Sequence, residues 1–152
     1  MALDYSQYGG VLVARENKVL TITLNSPETL NAFTAPMHNS MSRIWDDVND
    51  DPDVHVVVLT GAGRAFSAGG NLIDMQKKID DPDAWETGMP EARRIVFRML
   101  ECDKPIVARV NGHAVGLAQR LPWFATSLSP RTMPKSVIRI STQASWRVMA
   151  AR

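Results

Sequence analysis

Apolar and polar positions alternate strictly over residues 19–24, with Leu20, Ile22 and Leu24 on one side and Val19, Thr21 and Thr23 on the other. A period of two predicts a half-buried strand. With the preceding "VLVAR" it predicts a β-hairpin turning at Glu16–Asn17 and ending at Asn25–Ser26–Pro27. The period then changes. Met37, Met41, Ile44, Trp45 and Val48 recur at helical spacing, which predicts an amphipathic helix that Thr34 caps and whose first turn holds Pro36. "VHVVVLTG" is short, valine-rich and nearly continuous, the pattern of a strand covered on both faces in a parallel sheet. Asn71 caps a helix beginning "NLIDMQKKI". "PEARRIVFRMLECDKP" reads as a second one, with Ala92, Ile95, Val96, Met99 and Leu100 on one face, and "PIVARVNG" as the next buried strand. Strand, helix, strand, helix, strand predicts an α/β fold with crossovers.

The periodicity stops at Leu117. The remainder, "AQRLPWFATSLSPRTMPKSVIRISTQASWRVMAAR", sustains neither period, and Pro122, Pro130 and Pro134 interrupt any helix in its first half. Charge changes at the same place. Residues 1–117 hold 11 Lys and Arg against all 16 Asp and Glu, whereas residues 118–152 hold six basic residues and no acid. The expected organisation is a folded unit over 1–117 and an irregular, poorly ordered tail over 118–152. No apolar run approaches the roughly 18 residues of a membrane span, and the N-terminus lacks the layout of a secretory signal. The single Cys102 excludes an intrachain disulfide and fits a reducing, cytoplasmic setting; it reads as a small hydrophobe rather than a nucleophile. His38, His55 and His113 are scattered, so no metal site is expected.

Two glycine loops follow two buried strands: "GAGRAFSAGGN" and "NGHAVGL". Loops at the carboxyl ends of strands in an open α/β sheet are ligand positions. Gly69–Gly70 removes side chains where backbone N–H groups could approach a ligand, and Asn71 then starts a helix. A second such loop offers a second N–H, and two donors aimed at one point make an oxyanion hole. Spacing alone equally allows two tight βα turns. No Gly-Lys-Ser/Thr follows, and "GAGRAF" lacks the third glycine of a dinucleotide fingerprint.

"LNSPETLNAF", "VVVLTGAGRAFSAGGNL" and "KPIVARVNGHAVGL" resemble, in order and spacing, the signature segments of the enoyl-CoA hydratase/isomerase (crotonase) family over residues ~10–117. The resemblance implies an incomplete ββα spiral, the N-terminal half of the family's fold, and a homotrimer for the intact protein. It implies an acyl-CoA thioester substrate, with coenzyme A part of the substrate and no separate cofactor. By position, the N–H groups of Gly70 and Leu117 become the oxyanion donors. Leu30, Asn31, Ala32, Ala68, Gly69 and Gly70 become the residues that cup the coenzyme and substrate. Asn71 stands where the family usually has Asp. Arg64 reads as structural or phosphate-facing, His113 as a packing residue, and Asp74 and Glu28 as solvated.

In the family, "GHAVGL" is followed by a small-residue helix and a buried strand; here it is not. Restoring one base after Leu117 allows the tail to read "GATLALVCDI" at its start and "GDPHINTGLVAGDGGA" at its end, which resembles the family's continuation. Some junctions are forced: Trp123 before Phe124 must give valine, and Met149 before Ala150 must give glycine. The basic tail is then a by-product of an out-of-frame reading. The recovered text has Thr and His where hydratases of this family carry two glutamates, so isomerisation, hydrolysis or another enolate reaction stays open. Lacking the acid/base segment, this chain is expected to be inactive or weakly active. The alternative is a non-enzymatic module whose tail, with Trp123, Phe124 and Trp146, binds RNA or an anionic surface. The out-of-frame reading explains the same composition, so no nucleic-acid or membrane partner is expected.

Overall fold

The computed structural model describes residues 3–116 and Leu121. Strands β1 (Val11–Glu16) and β2 (Val19–Leu24) form the expected antiparallel hairpin, with Val11 opposite Leu24 and Glu16 opposite Val19. The register leaves a two-residue loop at Asn17–Lys18, one residue later than the sequence suggested. Both loop residues are left-handed, at φ 46° and 66°. Primed turns match the right-handed twist of the strands and require this conformation. Asn tolerates it, whereas Lys18 adopts it at a cost.

Helix α1 (Ala35–Asp50) crosses from β2 to β3 (Val56–Gly61), which lies parallel to β2. Pro36 occupies its first turn as expected, but the Thr34 side chain makes no capping bond. The predicted stripe of Met37, Met41, Ile44, Trp45 and Val48 is fully buried and joins Leu20, Ile22, Leu24, Val57 and Leu59 in one core. The reason is register: even-numbered β2 positions and odd-numbered β3 positions share the face that α1 covers. On the opposite face Val56 and Val58 are only half-buried among the described residues, so that face of β3 is less covered than its composition predicted.

After β3 come the short β4 (Ala65–Ser67), α2 (Leu72–Asp80) and α3 (Pro82–Leu100). Asn71 caps α2 as expected, accepting from the N–H groups of Ile73 and Asp74. Helix α3 begins eight residues before the predicted Pro90, because the Asp81 side chain caps it by accepting from the Asp83 N–H. Pro90 therefore lies inside the helix. Ile95 and Met99 are buried and Ala92 and Val96 half-buried, but Leu100 is exposed at the end of the helix. Strand β5 (Ile106–Arg109) then pairs parallel with β3, giving the order β1-β2-β3-β5. Strand β6 (His113–Ala114) pairs parallel with β4 in a separate two-stranded sheet.

One buried carboxylate ties the periphery to this core. Asp51, fully buried after α1, accepts from the Tyr5 hydroxyl at 3.0 Å, the Asp53 N–H at 2.9 Å and Arg15 at 3.2 Å. The Lys104 ammonium donates to its backbone carbonyl. The expected tail over 118–152 lies outside the described residues except for Leu121, which is buried in the core.

Two stability differences follow. Ile44→Ala should cost about 2–5 kcal/mol by denaturant unfolding, whereas Leu72→Ala, at a position 80% exposed, should change stability by no more than about 0.5 kcal/mol. Lys18→Gly should raise stability by up to about 1 kcal/mol by relieving the left-handed turn; a loss would show that Lys18 is not strained.

Candidate functional site

The Ser26–Phe33 segment builds one wall of the site. A single 3-10 turn at Pro27–Thr29 ends in two consecutive left-handed residues, Leu30 at φ 55° and Asn31 at φ 56°. Left-handed Asn is common, but a branched residue such as Leu is held there only when its surroundings demand it. The demand comes from the buried Asn31 side chain. Its Oδ1 accepts the Ser26 N–H at 2.9 Å, and its Nδ2 donates to the carbonyls of Ala62 at 2.8 Å and Ala65 at 2.9 Å. Asn31 thus pins its own loop to the loop after β3.

The segment Ala68–Asn71 runs alongside this wall. The Ala68 N–H donates to the Leu30 carbonyl at 2.8 Å, the Phe33 N–H to Gly69 at 2.7 Å, and the Asn71 N–H to Phe33 at 3.2 Å. Ser67 is fully buried; its hydroxyl donates to the Asn31 carbonyl at 2.6 Å and accepts the Gly69 N–H at 3.1 Å. Phe33 and Gly70 form a parallel bridge, yet its bonds use the groups of Gly69 and Asn71. The bridge therefore leaves the Gly70 N–H unused, at an exposed position just before the N-terminus of α2.

The second glycine loop docks directly on the first. The Val115 N–H donates to the Ser67 carbonyl at 3.0 Å. Gly69 is left-handed at φ 89°, and a Cβ there would lie 2.8 Å from the Val115 carbonyl oxygen, so only glycine fits. A Cβ on Gly112 would lie 2.0 Å from the Arg64 carbonyl oxygen. Asn111 fixes this crossing as Asn31 fixes the first. Its Oδ1 accepts from the Gly61 N–H at 3.1 Å, and its Nδ2 donates to the carbonyls of Gly63 at 2.9 Å and Ala65 at 3.2 Å. Sequence reading did not single out Asn111. The only signal was its place between a buried strand and a glycine.

Leu30, Asn31, Ala32, Ala68, Gly69 and Gly70 are therefore contiguous. Leu117, the expected second donor, lies outside the described residues, although the chain reaches it from Gly116 beside Gly69. His113 was expected to pack; its side chain is exposed. Asp74 is half-buried and paired with Lys77 at 3.7 Å rather than fully solvated. Arg64 and Glu28 are exposed. Burial pushes the Cys102 thiol up, which disfavours the thiolate. A cavity of about 420 Å³ at the N-terminal strand, lined by Leu3, Tyr5, Tyr8, Leu12 and Arg15, is distinct from these turns. Its tyrosine hydroxyls already donate to Asp51 and Asp47. Among the described residues no group of three His, Cys, Asp or Glu side chains could hold a metal ion, and no helix is long and apolar enough to cross a membrane.

Residues 14–125 match the family described as Enoyl-CoA hydratase/isomerase. The chain is similar to the 1,2-epoxyphenylacetyl-CoA isomerase of Escherichia coli K12, at 38% identity over 109 residues, covering 70% of this chain and 41% of the relative. It is also similar to the short-chain-enoyl-CoA hydratase of Clostridium acetobutylicum, at 34% identity over 112 residues, covering 72% of this chain and 42% of that one. A crystal structure of an enoyl-CoA hydratase/isomerase from Mycobacterium paratuberculosis superposes with a TM-score of 0.76 at 37% identity, covering 80% of this chain and 49% of that one. The chain thus spans less than half the length of each, and its fold corresponds to an N-terminal half of the crotonase-like α/β fold. Three ordered sequence segments, the superposition and the match over residues 14–125 agree: the chain belongs to the enoyl-CoA hydratase/isomerase family.

Proposed function

We propose that this chain carries the thioester-binding half of an acyl-CoA enzyme. The observation that carries the reading is the direct packing of the two glycine turns beside Gly70, an exposed residue whose N–H the Phe33 bridge leaves out of its bonds. In this reading Gly70 supplies one donor to the thioester carbonyl oxygen, and the N–H of Leu117, next in the chain after the left-handed Gly116, supplies the other. When a proton leaves the carbon beside the thioester carbonyl, negative charge moves onto that oxygen. Fixed donors stabilise it more in the transition state than in the ground state. The N-terminus of α2 behind Gly70 adds a favourable dipole. Leu30, Asn31, Ala32, Ala68 and Gly69 cup the coenzyme and the start of the acyl group.

The names of the relatives support thioester chemistry and span both hydration and isomerisation, two reactions that share an enolate. The proton-moving residues belong to the region after Leu117. In this reading that region is translated out of frame, and the present chain binds substrate weakly and turns it over little or not at all. The frame-restored protein is then a cytoplasmic homotrimer with full activity. The alternative, a basic-tailed binding module, rests on residues outside the described ones and draws no support from the relatives.

Enolate formation can be read without turnover. A frame-restored protein should raise the enolate absorbance of bound acetoacetyl-CoA, and Gly70→Pro, which deletes the N–H, should abolish the increase. Turnover by the same variant should fall by about 10²–10³-fold. An unchanged enolate signal in Gly70→Pro would remove Gly70 from the donor role. Asn31→Ala should weaken acyl-CoA binding and lower stability by about 1–3 kcal/mol, because the Ser26 N–H and the Ala62 carbonyl lose their Asn31 partner, while the Ala65 carbonyl keeps only Asn111; equilibrium binding together with denaturant unfolding separates the two effects.

A further inference from the structure

His38 is the buried group that the proposed chemistry leaves unused. It sits in the first turns of α1 with its ring edge-on to Phe33, the centroids 5.4 Å apart and the planes at 72°. Its Nδ1 is buried and has no hydrogen-bond partner among the described residues. Phe33 is the residue whose backbone brackets Gly70, donating to Gly69 and accepting from Asn71. A single side chain therefore separates the imidazole from the backbone that aims the Gly70 N–H.

The charged groups around the ring come from two other helices: Lys78 and Asp74 on α2, and Glu91 on α3. Glu91 also accepts from the neighbouring Asn39 at 3.5 Å. Burial, and then the Lys78 cation, hold the imidazole below its ordinary 6.5, against the weaker opposing pull of Glu91 and Asp74. A lowered value in the folded state means that the proton is bound more readily when the chain is unfolded. The arrangement is thus intact above pH 6.5 and loses stability as pH falls from there through the folded value.

We infer that His38 is a positioning residue, whose neutral ring, packed against Phe33, sets where the Gly69–Asn71 backbone lies and so where the Gly70 N–H points. A proton added to this half-buried ring has no ready acceptor at the buried Nδ1 and meets Lys78. The ring turns toward Glu91 and solvent, and Phe33 loses its edge contact. The consequence for catalysis rests on the donor role proposed for Gly70, but the positioning itself is read in ligand-free protein.

The test is a series of amide ¹H–¹⁵N spectra of the full chain between pH 8 and 5, for the wild type and for His38→Phe, which keeps a ring against Phe33 but cannot titrate. The amides of Gly69, Gly70 and Asn71 should shift together in the wild type, with the midpoint of the His38 ring resonances and below 6.5. In His38→Phe they should stay at their high-pH positions. Static amides while the His38 ring titrates would overturn the inference. So would a shift that persists in His38→Phe, because it would not depend on the His38 ring. If His38→Phe does not fold, agreement or disagreement of the two wild-type midpoints decides the matter. Positive amide data with no acyl-CoA binding would overturn the proposed function and leave the positioning role standing.

Discussion

The contact between two backbone turns, Gly69 against Val115–Gly116, is the constraint on which the candidate site depends. The contact itself is backbone against backbone and the Val115 side chain is exposed, so the position of the turns is set from outside. Two asparagines do this. Asn31 and Asn111 each accept one backbone N–H and donate to two carbonyls, and both donate to the Ala65 carbonyl. Buried backbone groups must be paired somewhere. Here the pairing is made by side chains of the Ser26–Phe33 loop and of the second glycine loop, both anchored on the Gly61–Ala65 segment that leads into the first, so satisfying the backbone also registers the site. Any substrate group placed between the turns inherits that register.

The elements with strong periodicity were readable from the chain alone. The α1 stripe and the β2 alternation bury the residues they predicted, because each lies on one face of a single contact with the sheet. What failed was set by local backbone chemistry. The hairpin turns at Asn17–Lys18 because a two-residue primed loop fits strand twist better than the Glu16–Asn17 reading. Helix α3 begins at Pro82 because Asp81 caps it, and Pro90, which reads as a start, is absorbed inside the helix. The candidate site was proposed by resemblance rather than by spacing. Glycines marked its position, but Asn111, which fixes the crossing, lies in a stretch where an Asn before Gly reads as an ordinary turn.

The surface around Gly70 departs from that of a closed domain. Helix α2 buries none of its residues, and Leu72, Ile73 and Ile79 are more than half exposed. The Met75 sulfur lies close over Gly70, 2.9 Å from where a Cβ would stand. The apolar side of α2 therefore continues into the site, in a chain that spans less than half the length of the relatives it matches. A donor exposed to water is weaker than the same donor in a dry pocket. That is the physical reason to expect binding to survive in this chain better than catalysis.

The most direct measurement is an amide ¹H–¹⁵N titration of the present chain with butyryl-CoA. The account predicts that the largest shifts fall on Leu30–Ala32 and Ala68–Gly70, the backbone that the two turns and their asparagines hold together. Shifts concentrated instead around Tyr5, Leu12 and Arg15, at the N-terminal cavity, would contradict it and move the ligand site to that cavity along β1.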